Sequence, residues 1–464
     1  MRLSPLLLLV FASGVVRAQP ASTFTTTGNM TTPRFAATAT LLLDGKVLIA
    51  GGGNLGRLSS AELYDPATGL FAPTGGMTTA RTWLTAILLA DGRVLILGGS
   101  PEQPHSVELY DPSTGAFTAA GDIGGTASSA ALLQTGKVLI AAIPFAELYD
   151  PVTSTFAPTG AYASSLVTGP GGLLPGPPIA TSLADGRVLI TWNSTQTELY
   201  DPGTGAFSVT GTMTAHGAWA DGYSATLLPN GKVLVAGGGD DDESLYASAE
   251  LYDPQTTTFT ATGHMAQPRG GHTATLLADG TVLIGGYGFS VGLYDPASGT
   301  FGPAGNLTTQ RFEQTATLLN SGQVLIAGGT PTTQIKDVLA SAEIYTPARL
   351  VAAAVLLSLS GNGTGQGAIQ HAESYQVASA DNPAVGGEAL VIYCTGLADG
   401  SVIPPQVAIG GRMAEVLWFG NTPGYTGLNQ INVRVPDGVA PGPAVPVRIN
   451  YVGRSSNEVT IGVR

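Results

Sequence analysis

The sequence predicts an all-β protein: a seven-bladed β-propeller closed by an N-terminal strand and followed by a small β-sandwich. Three observations carry this prediction. A four-part phrase recurs seven times with a mean period of about 47 residues, tracked by its tyrosines from Tyr64 to Tyr345, and such a period is typical of propeller blades. Each phrase holds four short runs rich in Val, Ile, Thr, Tyr and Phe, which favour strands over helices. Turn signals recur at two fixed places in each phrase.

The first copy of the phrase shows its four parts. A Thr-rich run ends in Leu-Leu at residues 38–42, and a Val-Leu-Ile run leads into Gly-Gly at residues 47–52. Ala-Glu-Leu-Tyr-Asp-Pro follows at residues 61–66, and the fourth run ends on Phe71. Alternation of apolar and polar residues within these runs predicts strands with one face against the core.

Two turns join these runs into an antiparallel meander. Asp44-Gly45 separates the first two runs, and Asp-Gly favours a type I′ hairpin turn because both central residues need φ > 0. Asp65-Pro66 and Gly69 separate the last two runs, where Pro presets φ and Gly supplies a left-handed position. Each phrase is therefore predicted to be one four-stranded blade.

The order of the strand types predicts how the ring closes. The Phe-containing run at Phe24 precedes every other part of the repeat, and no such run follows the last tyrosine phrase, at Tyr345. Each strand type still occurs seven times. We therefore expect the strand near Phe24 to pair with the outer edge of the last blade, which removes an unpaired edge.

These motifs resemble the kelch family of β-propellers, especially bacterial kelch-like and galactose-oxidase-type central domains. The resemblance covers roughly residues 20 to 349 and includes arginines that precede the first strand of several blades. Phe stands where kelch repeats usually carry Trp, and Ala141-Ala142 replaces the glycine pair in the third blade. The matching glycine pairs are Gly51-Gly52, Gly98-Gly99, Gly237-Gly238 and Gly328-Gly329.

The rest of the chain divides into a leader and a second domain. Residues 1–18 read as a secretory signal, because Arg2 precedes a short apolar run and a Val16-Arg17-Ala18 cleavage site. Residues 19–349 hold the propeller. Residues 350–464 contain short alternating strands and resemble an uncharacterised Ig-like or IPT-like domain of bacterial secreted proteins, which implies a packing or adhesion module.

Composition narrows the location and the classes of partner. We expect a secreted protein, extracellular or periplasmic, that is monomeric, has no membrane span and needs no cofactor. The net charge is −13, only 11% of residues are charged and no basic run occurs, which argues against nucleic-acid binding. Cys394 is the single cysteine, so no intrachain disulfide forms, and its strand-like surroundings predict a buried structural thiol.

Loop variation between the repeats predicts which face of the disc carries function. The connections between strands one and two, and between three and four, are nearly constant, whereas the remaining connections vary and share the other face. Aromatic rings beside arginines suit carbohydrate or acidic ligands. The candidate ligand-binding residues on this face are Arg34, Arg81, Trp83, Trp192, His216, Trp219, Arg269, His272 and Arg311.

Each candidate also has a structural interpretation. The arginines occupy one repeated position, where kelch repeats use Arg to bond backbone carbonyl groups of a neighbouring blade. Repeated glutamates are similarly interpreted as ties between blades, and the tryptophans can pack over the disc. Asp240, Asp241 and Asp242 form a weak candidate Ca²⁺ site, for which a solvated acidic loop tip is the alternative. The five histidines show no zinc spacing.

The favoured function is a non-catalytic extracellular recognition scaffold for a polysaccharide or a surface protein, with no catalytic residue. The alternative is a carbohydrate-active enzyme. Resemblance to copper-radical oxidases implies a Tyr-Cys crosslink with His and Tyr ligands near the propeller axis, but Cys394 lies in the second domain. A sialidase-like or lyase-like enzyme would use the arginines to hold an acidic sugar, yet no acid–base pair accompanies them.

Overall fold

The computed structural model describes residues 21–163, 178–192, 194–214, 221–239, 244–332 and 337–464 of the 464-residue chain. The predicted signal segment, His216, Trp219 and the acidic run Asp240 to Asp242 lie outside the described residues. Within the described ranges, no helix is long and apolar enough to cross a bilayer.

The propeller begins with a strand that belongs to its last blade, and four complete blades follow. The N-terminal strand is β1 (Thr23–Thr26). Blade 1 contains β2 (Thr38–Leu41), β3 (Val47–Ala50), β4 (Ala61–Asp65) and β5 (Leu70–Pro73). Blade 2 contains β6 (Thr85–Leu88), β7 (Val94–Leu97), β8 (Ser106–Asp111) and β9 (Ala116–Asp122). Blade 3 contains β10 (Thr126–Leu132), β11 (Val138–Ile143), β12 (Glu147–Asp150) and β13 (Thr155–Pro158). Blade 4 contains β14 (Ile179–Ser182), β15 (Val188–Thr191), β16 (Gln196–Asp201) and β17 (Ala206–Thr212).

The remaining blades continue the same strand order. Blade 5 contains β18 (Asp221–Leu227), β19 (Val233–Gly239), β20 (Ala249–Asp253) and β21 (Thr258–Ala261). Blade 6 contains β22 (Thr273–Leu276), β23 (Val282–Gly285), β24 (Gly288–Asp295) and β25 (Thr300–Arg311). Blade 7 contains β26 (Thr315–Leu318), β27 (Val324–Ala327) and β28 (Ala342–Thr346). Every blade is a four-stranded antiparallel sheet once β1 is added to blade 7, as predicted.

The ring closes through the N-terminal strand. β1 pairs with β28 in a register that sets Phe24 opposite Tyr345, and their rings lie 4.9 Å apart between centroids. The innermost strands contact one another in sequence around the axis, and β2 of blade 1 meets β26 of blade 7. The prediction of seven blades closed by the Phe24 strand is therefore confirmed.

Repeated side-chain contacts explain why the phrase is so constant. The second strand is buried along its whole length in blade 1 (β3) and in blade 7 (β27). A Val-Leu-Ile run suits a strand that is buried on both faces. The phrase tyrosine packs at a tilt against the Phe of the next strand, with centroids 4.8 Å apart for Tyr64 and Phe71. Its hydroxyl also meets Thr27 of the preceding connection at 2.9 Å. One tyrosine thus ties its own blade to the strand before it.

The second domain is built from nine strands. They are β29 (Val355–Leu356), β30 (Ile369–His371), β31 (Ala389–Thr395), β32 (Gln406–Ile409), β33 (Arg412–Asn421), β34 (Asn429–Arg434), β35 (Gly442–Tyr451), β36 (Arg454–Ser455) and β37 (Val459–Val463). The long strand β33 pairs with β32 through its first residues and with β34 through the rest. The two layers of the predicted β-sandwich are therefore parts of one curled sheet around a common apolar core.

The second domain covers the face of the disc that carries the constant turns. Arg448 donates to the carbonyl oxygen of Leu43 in blade 1 at 3.0 Å. The amide of Val402 donates to the carbonyl oxygen of Pro229 in blade 5 at 2.9 Å. The amide of Ala353 donates to the backbone carbonyl oxygen of Asn320 in blade 7 at 3.2 Å. The other face, formed by the connections before each first strand and between strands two and three, is called the variable face below.

Candidate functional site

Backbone hydrogen bonds link the connections into blades 7, 1 and 2 near the propeller axis at the variable face. Two residues after the repeated arginine, the chain adopts a left-handed conformation, with φ of 48° at Ala36, 52° at Trp83 and 53° at Glu313. The amide of Ala36 donates to the carbonyl of Glu313, and the amide of Trp83 donates to the carbonyl of Ala36, each at 2.9 Å. Blades 7, 1 and 2 are thereby linked in order around the axis.

The left-handed conformation is costly for Ala36, Trp83 and Glu313, because each has a β-carbon. Gly271 of blade 6 holds the same position with φ of 58°, which glycine adopts without steric cost. The three residues with a β-carbon each incur a cost on the order of 1–3 kcal/mol, and such strain is concentrated at functional sites. Of the three, only Trp83 and Glu313 carry large side chains. The strain points to a role for these two side chains at the mouth of the axis.

Trp83 and Glu313 contact each other across blade 1. The indole N–H of Trp83 donates to Oε2 of Glu313 at 3.3 Å, and the Phe35 ring meets the indole edge-on, with centroids 5.8 Å apart. The Trp83 side chain nevertheless remains 62% exposed. The result is an exposed apolar platform that is held in place by Phe35 and Glu313.

The Glu313 carboxylate lies in a poorly hydrated position. Burial raises the pKa of Glu313, and the hydrogen bond from Trp83 opposes this shift. A β-carbon at Gly271 would collide with Oε1 of Glu313, so the carboxylate lies directly against the backbone of blade 6. Since hydroxyl groups satisfy such a carboxylate well, Glu313 is suited to accept hydrogen bonds from a bound polyol.

The arginines predicted to bind ligand are buried beneath the variable face. Arg34 is 1% exposed, and Arg81 and Arg311 are fully buried. Arg311 donates to the carbonyl oxygens of Gly328 and Ser341 at 2.9 and 2.8 Å and pairs with Glu343 at 3.0 Å. Arg34 makes the corresponding contacts in blade 1. Arg81 binds the carbonyl of Gly98, the hydroxyl of Ser106 and Glu108 in blade 2. The guanidinium groups are therefore turned inward and do not reach a ligand on the surface.

The repeated glutamates hold the connections that arrive from the preceding blade. Glu62 pairs with Arg34 of its own blade at 2.9 Å. It also accepts hydrogen bonds from the amides of Thr31 and Thr32, at 2.7 and 3.0 Å. Each such glutamate therefore fixes the connection that leads into its own blade. Burial lowers the pKa of Arg34, and Glu62 counteracts part of this shift.

Arg269 differs from the other three arginines. Its guanidinium donates to the carbonyl of Gly286 and to the carbonyl and hydroxyl oxygens of Ser290, the latter two at 2.6 and 2.8 Å. Burial lowers the pKa of Arg269, and no carboxylate among the described residues counteracts it. Gly292 occupies the position of the blade-6 glutamate.

Two further candidates are buried between blades. His272 is 9% exposed, and its Nε2 lies 2.9 Å from the hydroxyl of Ser224 in blade 5. Burial, with a smaller effect from Arg269, lowers the pKa of His272 to about 3. Trp192 is 2% exposed and packs edge-on against Tyr162, with centroids 4.8 Å apart. Neither side chain is presented at the surface, because each fills a gap at the base of a connection.

Of the predicted site residues that the structure describes, only Trp83 is exposed. Glu313 and Phe35, which hold it, were not predicted. A signal for Glu313 was present in the sequence, because Glu313 and Trp83 stand at the same offset from their arginines. That offset becomes informative only when it is known that the position faces the axis.

The single thiol of the chain does not fit a copper-radical centre built on a Tyr-Cys crosslink. No three His, Cys, Asp or Glu side chains converge to hold a metal ion in the described ranges. Cys394 is buried in the core of the second domain, where burial raises the pKa of its thiol to about 12. That domain covers the face opposite Trp83, so the thiol cannot crosslink to a tyrosine at the variable face.

Comparison with known proteins relates the architecture to one class of enzymes. No protein-family model matches the chain, and no curated protein matches it. A solved structure described as a novel fungal alcohol oxidase of the AA5 family, in complex with copper, superposes with a TM-score of 0.63. The alignment covers 96% of this chain and 100% of the oxidase at 17% identity. The chain thus has a galactose-oxidase-like fold, a seven-bladed propeller with a C-terminal β domain.

Proposed function

We propose that this chain is a non-catalytic extracellular recognition scaffold that binds carbohydrate at the mouth of the propeller axis. The observation that carries the proposal is the exposed indole of Trp83, held by its hydrogen bond to Glu313. A sugar ring would stack on the indole face, while one of its hydroxyl groups would donate to Glu313.

The geometry supports binding because the platform is fixed in advance. Immobilising a side chain on binding costs roughly 0.5–1.5 kcal/mol. The edge contact of Phe35 and the hydrogen bond to Glu313 already restrict Trp83. Tryptophan also combines a large apolar surface with a polar edge, which suits a ligand that carries both C–H and hydroxyl groups.

The fold similarity to an AA5 oxidase motivates a second candidate, a copper-dependent oxidase. The donor set in the described residues does not fit that group, since the only thiol is sealed in the second domain. No oxidative step is therefore derived. The sialidase-like or lyase-like alternative needs accessible arginines, whereas Arg81 and Arg311 are fully buried and bound to internal partners.

A binding screen with a matched pair of variants tests the proposal. The purified chain from residue 19 onward would be applied to a broad glycan array and to a panel of surface proteins. We expect a glycan to bind the wild type and Trp83→Ala to weaken that binding at least tenfold. Trp418→Ala is the control, because Trp418 is also exposed, at 43%, but lies in the second domain.

The outcomes separate the candidate functions. Binding of a surface protein without any glycan, or equal glycan affinity of the wild type and Trp83→Ala, would overturn the carbohydrate proposal. Stoichiometric copper retained by the purified chain, with oxidation of an alcohol, would favour the oxidase instead.

A further inference from the structure

Blade 7 shows how a buried arginine is normally compensated in this propeller. Glu343 is fully buried and pairs with Arg311 at 3.0 Å. The same carboxylate accepts hydrogen bonds from the amides of Thr308 and Thr309, at 2.6 and 3.2 Å. One carboxylate thus receives a guanidinium and two backbone amides, which is a complete anion-binding set.

Blade 6 keeps the donors of this set but lacks the carboxylate. Arg269 is 3% exposed and binds Ser290 as Arg311 binds Ser341. The residue two positions after Ser290 is Gly292, whereas the residue two positions after Ser341 is Glu343. The residues three and two positions before the arginine, Ala266 and Gln267, stand where Thr308 and Thr309 stand in blade 7.

Gly292 leaves open the space that a glutamate side chain fills elsewhere. A β-carbon at Gly292 would meet only the carbonyl oxygen of Gly302, at an ordinary contact distance of 3.6 Å. Gly292 does not adopt a positive φ, so neither backbone conformation nor close packing requires glycine here. It is also partly exposed, in contrast to buried Glu343, so solvent reaches the chain at this position.

Electrostatics make an anion favourable in this space. A buried guanidinium without a carboxylate bears an uncompensated desolvation cost. In the described part of the chain, Arg269 has carbonyl and hydroxyl partners only. An external carboxylate that replaces the missing glutamate would restore the charge pair found in blades 1, 2 and 7.

We propose that Arg269, the space beside Gly292 and the amides of Ala266 and Gln267 form a binding site for a small carboxylate anion the size of formate or acetate. The site is called the blade-6 notch. It uses neither Trp83 nor Glu313, which carry the proposed carbohydrate site, so the two proposals can fail separately.

The test uses fluoroacetate as a probe and acetate as its competitor. We expect the ¹⁹F signal of fluoroacetate to broaden saturably with the wild-type protein and to recover when acetate is added, but not when chloride is added. Acetate should also raise the apparent melting temperature of the wild type by about 1–3 °C above sodium chloride of equal ionic strength.

Two substitutions test whether acetate acts at the blade-6 notch. Gly292→Glu should supply the missing carboxylate, raise the melting temperature without acetate and abolish the response to acetate. Glu343→Gly should create a second notch in blade 7, lower the melting temperature and make it recover partly in acetate. Trp83→Ala should leave the fluoroacetate signal as in the wild type.

Several results would overturn the proposal. These are no saturable broadening with the wild type, displacement by chloride as effective as by acetate, or an unchanged acetate response in folded Gly292→Glu. If Gly292→Glu does not fold, the wild-type fluoroacetate titration alone decides, since it needs no variant.

Discussion

Trp83 donates its indole N–H to the carboxylate of Glu313 at 3.3 Å, although the two residues are 230 positions apart in the chain. Trp83 belongs to the connection into blade 2 and Glu313 to the connection into blade 7. They meet because the N-terminal strand closes the ring and places blade 1 between them. The proposed recognition site therefore depends on the closure of the whole propeller.

Replacing Glu313 with Gln should stabilise the protein at neutral pH. Burial raises the pKa of Glu313 above its ordinary value of 4.5, so the folded state holds this proton more tightly than the unfolded chain does. The resulting contribution to stability is present below pH 4.5 and is lost as the pH rises through the folded pKa. We expect Glu313→Gln to melt about 1–3 °C above the wild type at pH 7.5 and to show no such gain at pH 4.

The same carboxylate should control the indole resonance of Trp83. In the wild type, the ¹H–¹⁵N signal of this indole should shift with pH, with a midpoint above 4.5. Glu313→Gln should abolish the shift. A midpoint below 4.5 would contradict the burial of the carboxylate.

His272 should make the folded protein less stable as the pH falls, which is the reverse of the effect expected from Glu313. Its pKa is lowered from 6.5 to about 3, so the unfolded chain binds this proton more readily. The corresponding stability is complete above pH 6.5 and is lost as the pH falls toward 3, by roughly 2 kcal/mol between pH 6.5 and 5. His272→Gln should lose less stability than the wild type over that interval in urea titrations. Equal losses in both proteins would show that His272 does not remain neutral.

Breaking a buried arginine–glutamate pair should be costly. Glu343→Gln leaves the fully buried Arg311 without its counter-charge, and removing one partner of such a pair costs roughly 3–5 kcal/mol. Chemical denaturation would measure the loss. The control is Glu102→Gln, since the pair of Arg57 and Glu102 is exposed at 39% and 68%, and we expect no measurable change there.

The N-terminal strand β1 should contribute as much to the stability of the propeller as the outer strand of another blade does. The rings of Phe24 and Tyr345 lie 4.9 Å apart, and those of Phe71 and Tyr64 lie 4.8 Å apart. Phe24→Ala should therefore cost about as much as Phe71→Ala, on the order of 2 kcal/mol for a partly buried ring. Thermal unfolding of both variants compares them. A negligible effect of Phe24→Ala beside a clear effect of Phe71→Ala would argue against closure through β1.

The missing glutamate of blade 6 is visible in the sequence, but its consequence is not. The glutamates of the tyrosine phrase occur in blades 1 to 5 and blade 7, and Gly292 interrupts the series. A missing glutamate by itself has no consequence that can be predicted. It becomes a candidate anion site once Arg269 is known to be buried, because an uncompensated buried cation favours an anion.

The number of blades, the closure by the Phe24 strand and the face that varies could all be predicted from the sequence, because they follow from local strand and turn preferences repeated along the chain. The sequence did not determine which side chains reach solvent. Arg34, Arg81, Arg311 and Trp83 come from the same connections, yet the arginines turn inward to carbonyl groups whereas Trp83 remains 62% exposed. This difference in exposure arises in the folded protein, because burial depends on neighbouring blades that are distant in sequence and are brought together by the closed ring.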